Sequence, residues 1–99
     1  MLNITKNANG NDLKIILEGR LDTTTAPQLE AELGTALSGV TSLKFDFAKL
    51  EYISSAGLRV LLSAQKTMNK QGSMVISNAT SEVKEIFDVT GFSDILTIE

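Results

Sequence analysis

Apolar residues in this chain change spacing several times, and that switching decides which architectures are open to it. Leu2 and Ile4 alternate with Asn3 and Thr5, and Leu13, Ile15 and Leu17 alternate again, the two-residue period of half-buried strands. Between these runs Asn9-Gly10-Asn11-Asp12 supplies turn chemistry, because Gly and Asn tolerate positive φ. Residues 2–7 and 12–19 are therefore predicted to pair as an antiparallel hairpin. The spacing then becomes helical at Leu29, Leu33, Ala36 and Leu37, returns to strand-like at Leu43, Phe45 and Phe47, and becomes helical again at Leu58, Leu61, Leu62, Ala64 and Met68. A short apolar strand at Met74-Val75-Ile76 reads as covered on both faces. A third helix opens at Thr80-Ser81 with Val83, Ile86 and Phe87 as its buried edge, and Leu96 and Ile98 allow a last short strand.

Local punctuation agrees with these boundaries. Thr25 and Gln28 have capping-box spacing, and Pro27 suits a first helical turn. Gly39, Gly72 and Gly91 follow the three helical stretches. Ala48 to Ile53 reads as a short connection. The predicted order is β-β-α-β-α-β-α-β, an α/β fold with a mixed sheet of about five strands and three or more helices, in one domain over residues 1–99. Right-handed crossovers should make the strands after the hairpin parallel neighbours.

Composition removes most catalytic chemistry. The chain has no Cys and no His, so thiolate nucleophiles, disulfides, Ser-His-Asp triads and the common zinc cages are excluded, and no cofactor or metal is expected. Nine Lys and Arg against twelve Asp and Glu give a net charge of −3, which argues against direct nucleic-acid binding. The longest aliphatic run is Val60-Leu61-Leu62, far short of a membrane helix, and no export signal opens the chain, so a cytoplasmic protein without membrane insertion is expected. Gly34 and Gly39 have P-loop spacing, but Val40 and Thr41 stand where Lys and Ser or Thr belong.

The unusual stretch is Tyr52-Ile53-Ser54-Ser55-Ala56-Gly57-Leu58-Arg59, which runs from a strand into a helix. With Ser55 as N-cap, Ala56, Gly57 and Leu58 become the first helical residues, and two small residues leave the backbone open from outside. Gly57 costs roughly 0.8–1.0 kcal/mol of helix stability against Ala, so something should want that space. The stretch reads either as a serine-capped helix with a tolerated glycine or as an exposed serine that another protein touches or modifies. Asp22 reads either as steering a partner or as hydrogen-bonding its loop, Asp46 as a loop-fixing carboxylate, and Phe87 and Phe92 as core.

Three blocks carry a family resemblance. Leu43-Lys44-Phe45-Asp46-Phe47 with Tyr52-Ile53-Ser54-Ser55-Ala56-Gly57-Leu58 resembles the signature of STAS domains, in particular bacterial anti-sigma factor antagonists. Gly19-Arg20-Leu21-Asp22 resembles the family's approach to its first helix, and Val83 to Phe92 its third block. The resemblance implies a non-enzymatic module, monomeric when free, that binds an anti-sigma factor serine kinase and is released when a serine at the start of the second helix is phosphorylated. A serine phosphatase would reverse the step. By motif position the acceptor is Ser55. Ser54, which stands where the family often has Asp, competes for that role. Asp22, Ser54, Ser55, Ala56, Gly57 and Arg59 are the expected partner-binding residues. The alternative implied is a stand-alone STAS subunit that docks on a membrane transport complex.

Overall fold

A computed structural model describes residues 2–99 of the chain. Its elements are β1 (Leu2–Asn9), β2 (Asp12–Leu21), α1 (Ala26–Ala36), β3 (Ser42–Ile53), α2 (Ser55–Gln71), β4 (Ser73–Ser77) and α3 (Ser81–Thr90), followed by a 3-10 turn at Phe92–Asp94. The strands make a four-stranded mixed sheet in the order β1-β2-β3-β4, with β1 antiparallel to β2 and the other neighbours parallel. The hairpin and the parallel crossovers agree with the sequence pattern. The fifth strand does not form: Ile98 makes a single parallel bridge to Ile76.

Alternation explains where the core lies. Leu13, Ile15, Leu17 and Leu21 of β2 are buried beside Leu43, Phe45, Phe47, Leu50 and Ile53 of β3, while Lys14, Glu18, Arg20 and Lys44 on the opposite face are exposed. Leu29 and Leu33 of α1, Leu58, Leu61 and Met68 of α2, and Val83 and Phe87 of α3 complete the same core. Phe47 lies 5.7 Å from Phe45 and 6.4 Å from Phe87 between ring centroids, so an aromatic row ties β3 to α3. The outer face of the sheet stays open to solvent, contrary to the covered strand expected at β4. Val75 is only half-buried there, and polar contacts such as Lys14 to Asp46 at 3.8 Å and Lys44 to Glu99 at 3.7 Å occupy that face.

The segment read as a connection, Ala48 to Ile53, is the second half of β3. Its partners show why the pattern misled. Between the pairs Ile16↔Asp46 and Glu18↔Lys49, and again between Gly19↔Leu50 and Arg20↔Tyr52, β3 uses one residue more than β2. Each extra residue is a bulge, and each moves the next buried side chain from two positions away to three. Buried positions therefore fall at Phe47, Leu50 and Ile53, a spacing that no longer looks like a strand. Asp46 accepts a hydrogen bond from the Ala48 amide at 3.0 Å at the first bulge and another from the Asn78 side chain at 3.2 Å. Its carboxyl is held below the usual carboxylate range, first by the Ala48 amide and then by Asn78 and the nearby lysines. Asp46 thus holds an irregular strand together, where a loop-fixing role was expected.

The helix ends show one further correction. Thr25 is the N-cap of α1, but its side chain makes no cap bond, so the predicted capping box is not built. Its hydroxyl accepts from the Asp22 amide at 2.8 Å and donates to the Arg20 carbonyl at 2.8 Å, while Gln28 reaches the Leu2 carbonyl at 3.4 Å. At the far end of the sheet, the Gln71 amide group donates to the carbonyls of Leu37 and Val40, closing α2 onto the α1–β3 loop.

Next to Gln71, Gly72 passes so close to β3 that a Cβ there would stand 1.8 Å from the Thr41 carbonyl oxygen. Gly34, inside α1, would place a Cβ in open space. Gly72→Ala is expected to destabilise the protein by about 3 kcal/mol, since backbone cannot yield as a side chain does. Gly34→Ala should stabilise by about 0.5–1 kcal/mol through helix propensity. Urea unfolding of the two variants beside the parent measures both.

Candidate functional site

The parallel strands β2 and β3 end side by side, and the Ser54 amide donates to the Leu21 carbonyl at 2.8 Å. That bond joins the start of α2 to the end of β2, so Asp22 and the two serines share one edge of the sheet. Ligands of open α/β sheets bind at this carboxyl edge.

The N-cap of α2 is Ser54, not Ser55. Ser54 has extended backbone (φ −97°, ψ 174°), and its hydroxyl accepts from the Gly57 amide at 3.4 Å. Ser55 is the first helical residue. The one-residue shift arises because β3 runs through Ile53 and leaves Ser54 as the hinge between strand and helix. Ser54 is half-buried with its oxygen engaged, whereas Ser55 is exposed, and among the described residues its hydroxyl forms no hydrogen bond. The two candidates for modification thus have different surroundings.

Gly57 also differs from expectation. It is buried, and its missing side chain faces the sheet: a Cβ would lie 2.7 Å from Leu21 Cγ and 2.9 Å from Ile53 Cγ1. The space it leaves is taken by the ends of β2 and β3 and is closed to an outside partner. Ala56 is half-buried, and Arg59, one turn beyond Ser55, is exposed with no ion pair among the described residues. The outward surface of this turn is therefore Ser55 and Arg59, with Ala56 partly shown.

Asp22 turns into its own loop. Its Oδ1 accepts from the Thr24 hydroxyl at 2.7 Å, the Thr24 amide at 3.0 Å and the Thr25 amide at 3.1 Å. These bonds, led by the Thr24 hydroxyl, lower its pKa to about 2. The structural role anticipated for Asp22 is present, and its carboxylate is committed to the loop beside Ser54.

Two residues outside the expected partner-binding set, Arg20 and Tyr52, also belong to this edge. The Arg20 guanidinium lies 4.5 Å from the Tyr52 ring centroid and its Nε 3.9 Å from Asp22 Oδ2, and Tyr52 is 37% exposed. Arg20 and Tyr52 are register partners only because two bulges offset β3, so nothing in their linear spacing marks them. Among the described residues there is no group of three or more acidic side chains placed to hold a metal, and no helix is long and apolar enough to cross a membrane.

Comparison with known proteins gives a consistent set of likenesses. The family model of the STAS domain matches residues 3–99. A candidate anti-sigma factor antagonist, BtrV of Bordetella bronchiseptica, is 38% identical over 84 residues, 83% of this chain and 72% of that protein. The anti-sigma-B factor antagonist of Bacillus subtilis is 30% identical over 98 residues, 98% of this chain and 90% of that protein. In shape, the chain is similar to the crystal structure of an anti-sigma factor antagonist from Mycobacterium paratuberculosis, with a TM-score of 0.89 at 18% identity over 99% of this chain and 85% of the other.

Two outcomes follow from the geometry of this edge. Ser54→Ala should cost about 0.5–1 kcal/mol, in the lower part of the range for N-caps because the cap bond is long. Ser55→Ala should fall within about 0.5 kcal/mol of the parent, as for a plain surface change. Urea unfolding distinguishes these, and equal losses would put the cap at the wrong serine. The Asp22 carboxyl should titrate near pH 2 in the folded protein, against about 3.9 for an unperturbed aspartate. Since its folded pKa is depressed, its contribution to stability is complete above the unfolded value and is lost as pH falls toward 2. A carbon-detected NMR titration of the aspartates reads that midpoint, and Thr24→Val should move it upward.

Proposed function

Because the chain belongs to the STAS domain family, we propose that it is an anti-sigma factor antagonist switched by phosphorylation of Ser55. In the unmodified state it binds an anti-sigma factor that is also a serine kinase. The kinase transfers the terminal phosphoryl group of a nucleoside triphosphate to Ser55 Oγ, the bond to the β-phosphate oxygen breaks and the nucleoside diphosphate leaves, a partner base takes the hydroxyl proton, and the complex separates. A serine phosphatase restores the hydroxyl by hydrolysis. The chain contributes a binding surface and a phosphoacceptor, and the catalytic groups belong to its partners.

The observation that carries this reading is the contrast between adjacent serines. Ser54 Oγ is occupied as the helix cap, and Ser55 is exposed in the first turn. A phosphoryl group adds about −1.5 to −2 charge and three acceptor oxygens. At Ser55 it meets the positive end of the α2 dipole and the unpaired amides of the first turn, and the cap bond of Ser54 is left in place. Arg59, four residues on, lies on the same helix face and can lean back toward the phosphate. An exposed pair of that kind is worth about 0–1 kcal/mol, enough to orient the group and too little to decide the switch. Phosphorylation therefore acts at the interface, where size and charge replace a neutral hydroxyl. Asp22, with its loop already ordered, presents a fixed surface beside the serine, and Ala56 and the exposed Tyr52 ring extend it.

Phosphopeptide mapping of protein isolated from its native cells, with capture of bound partners, tests the proposal. The expected result is phosphate on Ser55, none in Ser55→Ala, retention of a serine kinase by Ser55→Ala, and at least tenfold weaker capture by Ser55→Asp. Phosphate on Ser54 would overturn the residue assignment, and capture of membrane transport subunits in place of a kinase would favour the transport-docking alternative. Circular dichroism of the phosphorylated form should match the unmodified form, with a melting temperature equal or a few degrees higher. A fall of several degrees would contradict a phosphate placed at this helix end.

A further inference from the structure

Helix α3 buries only Val83 and Phe87. The flank beside them carries Glu82, Glu85, Ile86 and Val89, spaced at i, i+3, i+4 and i+7, so all four lie along one helical ridge, with Ile86 at its inner edge against the core. Val89 is 79% exposed, against 47% for Ile95 and 37% for Tyr52, the other large apolar side chains left exposed among the described residues. Ile86 is half-buried beside it, and these two with Thr90 and both glutamates line a shallow, mainly apolar groove. Neither glutamate forms an ion pair among the described residues. Glu82 is accounted for by its place in the first turn, where a negative charge favours the helix. Glu85 in the next turn and Val89 near the carboxyl end have no such account, since an exposed valine is a weak helix former and is left largely uncovered by the described residues.

We propose that this ridge is a second docking surface, independent of Ser55, and that its occupant is an amphipathic helix presenting aliphatic side chains flanked by lysine or arginine. The apolar centre between Ile86 and Val89 receives the aliphatic side chains, and the two unpaired glutamates receive the cations. A helix laid along a helix face is read by such i, i+3, i+4 and i+7 anchors. A second copy of this chain is a poorer occupant, because a symmetric contact would bring four unpaired glutamates together around two valines. The ridge shares no residue with the edge around Ser55.

The test uses the intact chain, isotope-labelled, and a synthetic 18-residue leucine/lysine peptide with helical amphipathic order, compared with a scrambled peptide of the same composition. The ordered peptide should shift the amides of Glu82, Glu85, Ile86, Val89 and Thr90 and leave Ser54 to Arg59 unmoved. The double variant Glu85→Gln with Val89→Ser should weaken that binding at least fivefold with no loss of melting temperature. Equal shifts from the scrambled peptide, shifts spread over the acidic surface at large, or undiminished binding by the double variant would each overturn the proposal. A concentration-dependent dimer in sedimentation, abolished by Val89→Ser, would also overturn it by making a second copy the occupant.

Discussion

The first turn of α2 rests on the ends of β2 and β3 at a distance that admits no side chain at position 57. With Leu21 Cγ and Ile53 Cγ1 both inside 3.0 Å of a would-be Cβ, any larger residue must push the helix off the sheet or force two core residues from their places. This contact, together with the Ser54 amide on the Leu21 carbonyl, sets both the height and the rotation of the helix. Rotation is what separates two adjacent serines. One step of about 100° turns Ser55 toward solvent while Ser54 stays at the strand end with its oxygen over the Gly57 amide. A glycine that lowers helix propensity fits here because a side chain would lift the first turn off the strand ends.

The same edge divides its charged groups by task. Asp22 is tied to Thr24 and Thr25, and its depressed pKa is the electrostatic record of those bonds. Arg20 is held over Tyr52 and near Asp22, so the strand end carries an ordered cation and an exposed ring without an isolated buried charge. Arg59, beside Ser55, has no ion pair among the described residues. Under the proposed switch, a surface arranged this way would change little on its own, and the phosphate would be felt by the protein lying against it.

Much of this architecture is legible in the linear pattern, and the failures have physical causes. The hairpin, the three helices and the parallel crossovers follow from periods of two and near four and from Gly10, Thr80 and Gly91. The second half of β3 hides because two bulges stretch the spacing of Phe47, Leu50 and Ile53, and bulges depend on the neighbouring strand. That hidden strand end propagates into the site: with β3 ending at Ile53, the cap falls on Ser54, and an expectation centred on Ser55 is displaced by one residue. Gly57 was legible as a residue with a reason to be there, but its direction was not, because a helical position shows its facing only once the helix is docked. The Arg20–Tyr52 pair was invisible for the same cause as the strand.

That one-residue displacement strengthens the case for a reversible switch. Were the acceptor the cap itself, modification would esterify the oxygen that receives the Gly57 amide, and each cycle would remake that contact. A cap bond is worth about 0.5–2 kcal/mol, comparable to the favourable effect of a negative charge at a helix N-terminus, about 0.3–1 kcal/mol, so the two would partly cancel or conflict. With Ser54 holding the helix end and Ser55 in its first turn, the proposed switch would act on an oxygen atom that the cap does not use. Under that proposal the helix would be equally well formed in both states, and the phosphate would act on the partner's side of the interface.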